Sequence, residues 1–459
     1  MNNNMGFKQA RLSKDCKYII DSDGNRVEYD DPRVVHIWPI DTSIYATRMI
    51  AKFFQKRGWN FRYTGKTNAE VLQQAKKLCS GRECIPCTSI TGATLNDVLS
   101  KRKEDQILVY YNLDQDGPCQ NGAWRVVWDT FAKRLNLRNV VFLSTPTQKS
   151  NYIGQGDLFA LKLGTFIAVS DILEEAEYTL RCLAKDKKSA LKTFEEETGR
   201  VIDSAKNGVL AVRSALKLWA ENLADIPLKA KVEETPKVLI FGGLNVLFVH
   251  YPITDYFIEQ GVIPKVVDFS EGLCWLESEH IVRYGFKRGL INPKEQFNIP
   301  FMLLSLLNLR NNTKEGLNAL KMRLHLAGLD SIIRRARKIA EKSGLLYDVH
   351  IPFRAIVDQG HRYASYVGFT ETPVTTGRYL CSIEAGAIDG LINLGSFNCQ
   401  PAMNSQAIIR PLANKSDIPF ASIDCEGPWI STNQRRLLET LAIQAKRVRE
   451  KKNNIKPLS

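Results

Sequence analysis

Ile107-Leu-Val-Tyr-Tyr-Asn-Leu113 is a short run of apolar and aromatic residues, followed at once by the turn segment Asp114-Gln-Asp-Gly-Pro-Cys119. An apolar run that ends at Gly and Pro is typical of a buried strand. Helical spacing of apolar residues follows over Ala123–Leu135, and a second β-rich run follows at Val140–Ser144. Strand, helix and strand in this order indicate a βαβ unit, and therefore a parallel sheet.

The same alternation extends along most of the chain. It predicts a first α/β domain over residues 34–150, behind an N-terminal extension at 1–33. The strand signal fades over 151–230, where apolar residues three and four apart predict a helical region. A second α/β domain is predicted over 231–450, before a basic tail at 451–459. We therefore expect two Rossmann-like parallel-sheet domains with a helical insert between them, and the two domains could be distant duplicates.

Composition limits the class of protein. The chain has 459 residues, 44% hydrophobic and 24% charged, which are ordinary values for a soluble globular protein. The net charge of +14 favours anionic partners, but no basic and aromatic module suggests a nucleic acid. No signal peptide is recognisable, and the longest apolar run, Phe301–Leu309, is too short to span a bilayer. We expect a cytoplasmic protein with reduced thiols and no membrane partner.

Several of the ten cysteines follow predicted strands. Cys119, Cys399 and Cys425 each lie a few residues beyond or at the end of one, and Cys84 and Cys87 lie in a Gly- and Pro-containing loop. Ligands of parallel α/β sheets bind beyond the carboxyl ends of the strands. We therefore expect these cysteines to face one cleft between the two domains.

Iron–sulfur ligation suits thiols that are held at the ends of rigid elements. Other interpretations remain open from the spacing alone. A buried cysteine is commonly a small apolar side chain, and a structural zinc site would need a second CxxC pair. Cys84-Ile-Pro-Cys87 also resembles a thioredoxin-type redox pair, although a predicted helix precedes it where that motif requires a strand.

Four motifs, in order, resemble the 2-hydroxyacyl-CoA dehydratase superfamily, which includes benzoyl-CoA reductase subunits and double-cubane-cluster proteins. The similarity is closest to the iron–sulfur half of the long CoA-substrate-specific enzyme activase proteins. The motifs are Gly81-x-Glu-Cys84-x-Pro86 with Thr91-Gly92, Gly117-Pro118-Cys119-x-x-Gly122, Asp389-Gly390-Leu-Ile-Asn393 through Phe397-Asn-Cys399-x-Pro401, and Ile418-Pro419 through Ile423-Asp424-x-Glu426-Gly427.

The resemblance implies a [4Fe-4S] cluster, or a double-cubane [8Fe-9S] cluster, in the cleft between the domains. Cys84, Cys119 and Cys399 fall on the motif positions that supply cluster thiolates, and Cys87 and Cys425 are additional candidate ligands. In this family an ATP-hydrolysing, actin-like activator injects a low-potential electron, which dehydratase members use to form a ketyl radical from a 2-hydroxyacyl-CoA. No catalytic side chain is predicted.

No Walker-type sequence is present, and Gly242-Gly243 lacks the other glycines of a dinucleotide motif. The activator would therefore be a separate actin-like ATPase. We expect a component of a dehydratase-like or reductase system, with an acyl-CoA as one candidate substrate and a homodimer or heterodimer as candidate assemblies. The alternatives are a non-catalytic electron carrier or regulatory subunit, a binding module without a cluster, and a thiol oxidoreductase that uses Cys84 and Cys87.

A few other polar residues are weaker candidates. Glu83 adjoins Cys84 and is either a proton donor or a turn carboxylate, and Glu426 is expected to be the latter. His36 is expected to be a core histidine with satisfied hydrogen bonds. His250 and His361 are expected on solvated helix faces.

Overall fold

The computed structural model describes residues 8–40, 42–113, 119–145, 156–243, 246–275, 313–365 and 370–454. It confirms an α/β protein, with two four-stranded sheets in which all neighbouring strands are parallel. The strands are β1 Arg11–Leu12, β2 Ile19–Ile20, β3 Arg26–Val27, β4 Val34–Trp38, β5 Asn60–Tyr63, β6 Ile107–Leu113, β7 Val140–Thr145, β8 Lys237–Phe241, β9 Ile263–Val266, β10 Gly390–Ser396 and β11 Phe420–Cys425. The helices named below are α1 Ile44–Lys56, α2 Ala69–Ala75, α3 Ile85–Ser100, α4 Asn121–Arg134, α5 Asp157–Leu183, α6 Lys187–Ser204, α7 Val209–Leu223, α8 Val246–Val249, α9 Tyr251–Glu259, α10 Thr313–Ala340, α11 Phe353–His361, α12 Thr372–Ala385, α13 Gln400–Ala413 and α14 Thr432–Asn454.

The two parallel sheets have the same topology. The first has the order β5-β4-β6-β7 and the second the order β9-β8-β10-β11, so each reads 2-1-3-4 in its own chain order. The strand order therefore reverses between β4 and β6 in one sheet, and between β8 and β10 in the other. Doubly wound sheets bind ligands at this reversal point, beyond the carboxyl ends of the strands.

Burial on both faces explains why these segments are strands. Every residue of β8 and β10 is buried, and β4 is buried except at its last residue. Apolar strands that are covered on both faces need helices on each side of the sheet, which the α/β connections supply. One apolar core contains side chains of both sheets, including Ile37 and Leu108 from the first and Ile240 and Ile392 from the second.

The central helices form a second apolar core with α1 and the end of α10. Phe159, Phe166, Phe194 and Trp219 are its largest buried side chains among α5, α6 and α7. The apolar spacing predicts helices over Asp171–Leu183, Lys188–Thr198 and Val201–Asn222. In the structure α5 begins earlier, at Asp157, and the break between α6 and α7 falls at Gly208. Gly208 has φ +91°, a left-handed backbone conformation that favours glycine. Gly199 lies inside α6 and does not end the helix.

Other boundaries also differ from the prediction. The apolar spacing predicts a helix over Thr91–Leu99, but helix α3 already begins at Ile85. Pro86 is in its first turn, where the missing N–H of proline costs no helical hydrogen bond. Residues 11–27 of the N-terminal extension form a small antiparallel sheet, β1-β2-β3. Helix α14 runs on to Asn454, and Lys452 contacts the buried Asp389 at 2.9 Å. None of the helices in the described ranges has the length and apolar character needed to cross a membrane.

Candidate functional site

A cavity of about 130 Å³ lies at the carboxyl ends of both sheets. We call it the cysteine cavity. Its wall includes Pro39 after β4, Cys119 after β6, Leu247 after β8 and Cys399 after β10. These are the four strands that flank the two points of reversal, so the cavity occupies the position where this topology places ligands.

Three of the predicted site cysteines line this cavity, namely Cys84, Cys119 and Cys399. Cys84 is the N-cap of α3 and Cys399 is the N-cap of α13. Cys119 stands one residue before Gln120, the N-cap of α4. The N-terminus of a helix stabilises negative charge, so all three sulfurs occupy positions that favour a thiolate or an anionic group.

The loop that carries Cys84 is held by its own hydrogen bonds. The Glu83 carboxylate accepts from the backbone N–H groups of Ser80, Gly81 and Arg82 at 3.0 to 3.1 Å. Gly81 has φ +89°, a conformation that favours glycine. Glu83 is thus a turn carboxylate that shapes the loop, and it does not line the cysteine cavity.

Burial raises the pKa of each cavity thiol. It raises the pKa of Cys84 to about 11, and it raises those of Cys119 and Cys399 further above the ordinary value. The next cause for Cys119 and Cys399 is the negative charge of Glu371, and both also interact with the Cys84 sulfur. Without a bound metal these thiols are neutral at physiological pH, and a metal that binds them must displace their protons.

The two additional candidate ligands lie outside the wall of the cavity. Cys87 is only 1% exposed and packs in the apolar core, and Cys425 donates its thiol to the carbonyl oxygen of Gly395 at 3.0 Å. Cys182 is in the same apolar core, whereas Cys274 and Cys381 are in a separate one. The structure therefore brings three of the five predicted cysteines to one cavity.

Glu371 is a cavity residue that the sequence analysis missed. It precedes α12, is 7% exposed and lines the cysteine cavity. Its carboxyl group packs on Gly243, where a Cβ atom would lie 2.2 Å from Oε1 of Glu371. The glycine pair after β8 was the available signal, because a strand that ends in two glycines allows a side chain to approach its backbone closely.

Three polar atoms in the cavity wall have no hydrogen-bond partner within the described residues. They are Oγ1 of Thr42, Nε1 of Trp124 and Oγ of Ser396, and each residue is buried. A buried donor without a partner is costly, so such groups commonly bind a ligand or ordered water. Hydroxyl and indole N–H groups are hydrogen-bond donors, so an acceptor within their reach would be a suitable partner.

The remaining wall is mainly apolar. Trp38, Ile50, Phe159 and Leu329 are among the side chains that line it, at a distance in sequence from every cysteine. An apolar wall excludes water and strengthens electrostatic interactions within the cavity. The site therefore combines soft ligands and hydrogen-bond donors with a dry surface large enough for an apolar group.

None of the histidines in the described part of the chain lines the cysteine cavity. His36 is a satisfied core residue, as predicted, because its ring nitrogens lie 2.9 Å from the Tyr111 hydroxyl and 2.8 Å from the Tyr29 carbonyl oxygen. Burial lowers its pKa to about 4. The prediction for His250 was wrong, because this residue is fully buried and its Nε2 lies 3.4 Å from Glu174. Its Nδ1 lies 3.1 Å from the carbonyl oxygen of Val246, in the short helix α8 that precedes it.

Within the described ranges, no three His, Cys, Asp or Glu side chains lie close enough together to hold a single metal ion. No protein-family model matches the chain, and no curated protein matches it significantly.

Proposed function

We propose that the chain is an iron–sulfur protein of the 2-hydroxyacyl-CoA dehydratase and activase type, with Cys84, Cys119 and Cys399 as ligands of a [4Fe-4S] cluster. The observation that carries the proposal is that three cysteines, from loops up to 315 residues apart (399 − 84), line one buried cavity. Independent apolar cysteines would have no reason to share a cavity wall. The site is the cleft at the carboxyl ends of the two Rossmann-like units.

The residues present fit such a group. Thiolates are the preferred ligands of iron–sulfur clusters, and helix N-termini stabilise their negative charge. The unpartnered donors of Thr42, Trp124 and Ser396 are available to hydrogen-bond to sulfur, which tunes the potential of a cluster. A four-iron cluster is larger than a single ion, so its ligands stand farther apart than those of a single-ion site.

The protein would bind the cluster, surround it with apolar side chains and donate hydrogen bonds to it. The bound cluster would supply one-electron transfer at low potential. Cys84, Cys119 and Cys399 provide three thiolates, which leaves one position of a cubane to another ligand. Cys87 and Cys425 lie outside the cavity wall, which favours a single cubane over the double-cubane cluster. The apolar side chains of the cavity wall would contact a substrate bound beside the cluster.

The proposed reaction partner is a separate ATP-dependent activator of the actin-like class. The net charge of +14 suits an acidic face on that partner. The bound cluster would supply the electron to a substrate held in the cysteine cavity, with an acyl-CoA as the candidate implied by the resemblance. The chain would act in the cytoplasm as one component of a dehydratase or reductase system.

One observation favours a second candidate, a thiol oxidoreductase. Cys84-Ile-Pro-Cys87 does open helix α3, as a redox-active CxxC pair does. Burial, however, raises the pKa of both thiols, whereas a reactive cysteine needs a lowered pKa. A bound metal deprotonates its own thiol ligands, whereas disulfide exchange depends on the pKa that the protein sets, so the raised pKa values count against disulfide exchange.

The experiment is anaerobic reconstitution of the full chain with iron and sulfide, followed by mixing with an actin-like activator, ATP and dithionite. We expect the visible absorbance of the oxidised cluster to bleach only when ATP is present. Addition of 2-hydroxyacyl-CoA then separates a catalytic component, which forms product, from an electron carrier, which does not. A reconstituted chain that is never reduced by the activator would contradict the proposal.

A further inference from the structure

Part of the wall of the cysteine cavity is one face of helix α5. The residues that α5 contributes recur every three to four positions, which places them on the same side of the helix: Phe159, Ala160, Leu163, Gly164 and Ile167. Leu329 of α10 also lines the cavity, and we call these six residues the helical wall. None of the six has a polar side-chain atom. A ligand group gains free energy from contact with the helical wall only if the group is itself apolar.

The close approach of α5 and α10 determines where Leu329 lies. A Cβ atom at Gly164 would lie 2.3 Å from Cδ2 of Leu329, so the leucine occupies the space that glycine leaves free. The relationship is reciprocal, because a Cβ atom at Gly328 would lie 3.3 Å from Cδ2 of Leu161. Each helix therefore packs a leucine on a glycine of the other helix.

Leu329 lies between packed side chains and the cavity. It is only 2% exposed and belongs to the apolar cluster that contains Phe353 and Ile356. Protein interiors are closely packed, so this cluster leaves the leucine little room to move. The cavity is the free space next to it. The sizes of residues 164 and 329 therefore determine how much of the cavity a ligand can occupy.

The volume and the aromatic side chains of the wall indicate which apolar group fits. The cysteine cavity has a volume of about 130 Å³ in the metal-free chain. A cavity of about 150 Å³ that is lined by Leu, Ile and Phe binds benzene. Trp38, also in the wall, has its ring centroid 6.3 Å from that of Tyr111 and 6.5 Å from that of Phe269. Aromatic side chains of this kind offer faces and edges to a further ring.

We propose that the cysteine cavity binds an apolar six-membered ring against the helical wall, and that Leu329 sets the size limit of this group. As a statement about the substrate, the inference rests on the proposed function. The acyl group of the substrate then carries a single apolar ring, in preference to a linear dicarboxylic chain or to two fused rings. Leu329 determines specificity through the space that it fills.

The test measures the binding of small neutral amides to the metal-free, reduced full chain by ligand-observed NMR. Phenylacetamide carries one ring, naphthylacetamide carries two fused rings and acetamide carries none. We expect the wild type to bind phenylacetamide roughly tenfold or more tightly than naphthylacetamide, which is too large, and to show no binding of acetamide. Pyrimidinylacetamide has the shape of phenylacetamide but a polar ring, and it should bind roughly tenfold more weakly.

Two variants change the space in opposite directions. In Gly164→Ala the new methyl group displaces Leu329 toward the cavity, so phenylacetamide should bind roughly fivefold or more weakly than to the wild type. In Leu329→Ala the cavity is enlarged, so naphthylacetamide should bind roughly tenfold or more tightly than to the wild type. The double variant removes the contact between the two positions and should regain most of the binding that Gly164→Ala loses.

Matched controls alter the same residue types elsewhere. Gly199→Ala in α6, with nothing within 4 Å, and Leu324→Ala, 66% exposed on α10, should bind both amides as the wild type does. Circular dichroism identifies an unfolded variant, and the other single variant then decides. The proposal is overturned if the wild type does not prefer phenylacetamide, or if a folded Gly164→Ala or Leu329→Ala binds the two amides with wild-type affinities. A chain that binds the ring but takes up no iron would count against the proposed function alone.

Discussion

The backbone N–H of Cys84 donates a hydrogen bond of 3.0 Å to Oε1 of Gln120, the residue that follows Cys119. The same side chain donates through Nε2 to the carbonyl oxygen of Arg82 at 3.3 Å. One glutamine therefore ties together the loops that carry two of the three cavity cysteines. The relative position of these two sulfurs is fixed by the protein, before any metal binds.

Replacing this glutamine should loosen the site. In Gln120→Leu the Cys84 N–H loses its acceptor, so we expect the free energy of unfolding to fall by about 1 kcal/mol. The amount of iron that the protein retains after anaerobic reconstitution and desalting should also fall, because the two loops no longer hold Cys84 and Cys119 in fixed relative positions. Urea denaturation and iron analysis measure the two effects. Gln55→Leu, an exposed residue of α1, is the control, and equal iron in both variants would refute this role.

Gly92 is required by the close approach of α2 and α3. A Cβ atom at this position would lie 1.9 Å from the carbonyl oxygen of Val71. Gly92→Ala should therefore lower the free energy of unfolding by roughly 2–3 kcal/mol, since backbone atoms must move apart. Gly199→Ala, inside α6 with nothing within 4 Å, should instead stabilise the protein by roughly 0.5–1 kcal/mol. Chemical denaturation compares the two, and a neutral Gly92→Ala would contradict the packing.

A buried ion network joins α5 and α10 to the second sheet. Arg337 donates two hydrogen bonds, of 2.8 and 2.7 Å, to Glu175, which also contacts Lys265 at 3.1 Å. Arg337→Met leaves Glu175 without its main partner, so we expect a loss of about 3–5 kcal/mol in unfolding free energy. The exposed Glu196→Gln should have no measurable effect. If Arg337→Met has the same unfolding free energy as the wild type, this network does not stabilise the fold.

Glu271 should make stability depend on pH in a defined direction. Its pKa of about 7 in the folded protein is above its ordinary value of 4.5, so the folded state binds more protons between these pH values. The contribution of Glu271 to stability is therefore present below about pH 4.5 and is lost as the pH rises through 7, by on the order of 3 kcal/mol.

The measurement is the difference in unfolding free energy between wild type and Glu271→Gln at several pH values. Other titrating groups are common to both proteins, so most of their contribution cancels. We expect the wild type to lose stability relative to the variant from acidic to neutral pH. A difference that is constant with pH would mean that Glu271 does not titrate in this range.

Most of the sheet architecture was predictable from the sequence. The apolar runs Ile107–Leu113 and Lys237–Phe241 predict two strands, and β6 and β8 have these bounds. Buried parallel strands are recognisable because their apolar residues are continuous. Helix starts were less predictable, as α3 shows. Its first turn is Ile85-Pro-Cys87, and a proline there favours a helix start, although the same residue elsewhere indicates a loop.

The candidate site was predictable only in part. Cys119 and Cys399 follow strands of different sheets, and the rule for parallel sheets brings both to the carboxyl edge. Nothing local to the sequence places Glu371 beside them, because its approach depends on Gly243, 128 positions earlier (371 − 243). The contact between Glu271 and Arg378 has a similarly long range, and no motif connects the two residues.

The count of iron and acid-labile sulfide per chain, after anaerobic reconstitution, tests the central claim most directly. We predict about four of each in the wild type, with near-complete loss in Cys84→Ser, Cys119→Ser and Cys399→Ser. Cys182→Ser, which alters a core cysteine of α5, should keep the full complement. A wild-type chain without stoichiometric iron, or serine variants that retain it, would contradict the assignment of these three cysteines to one cluster.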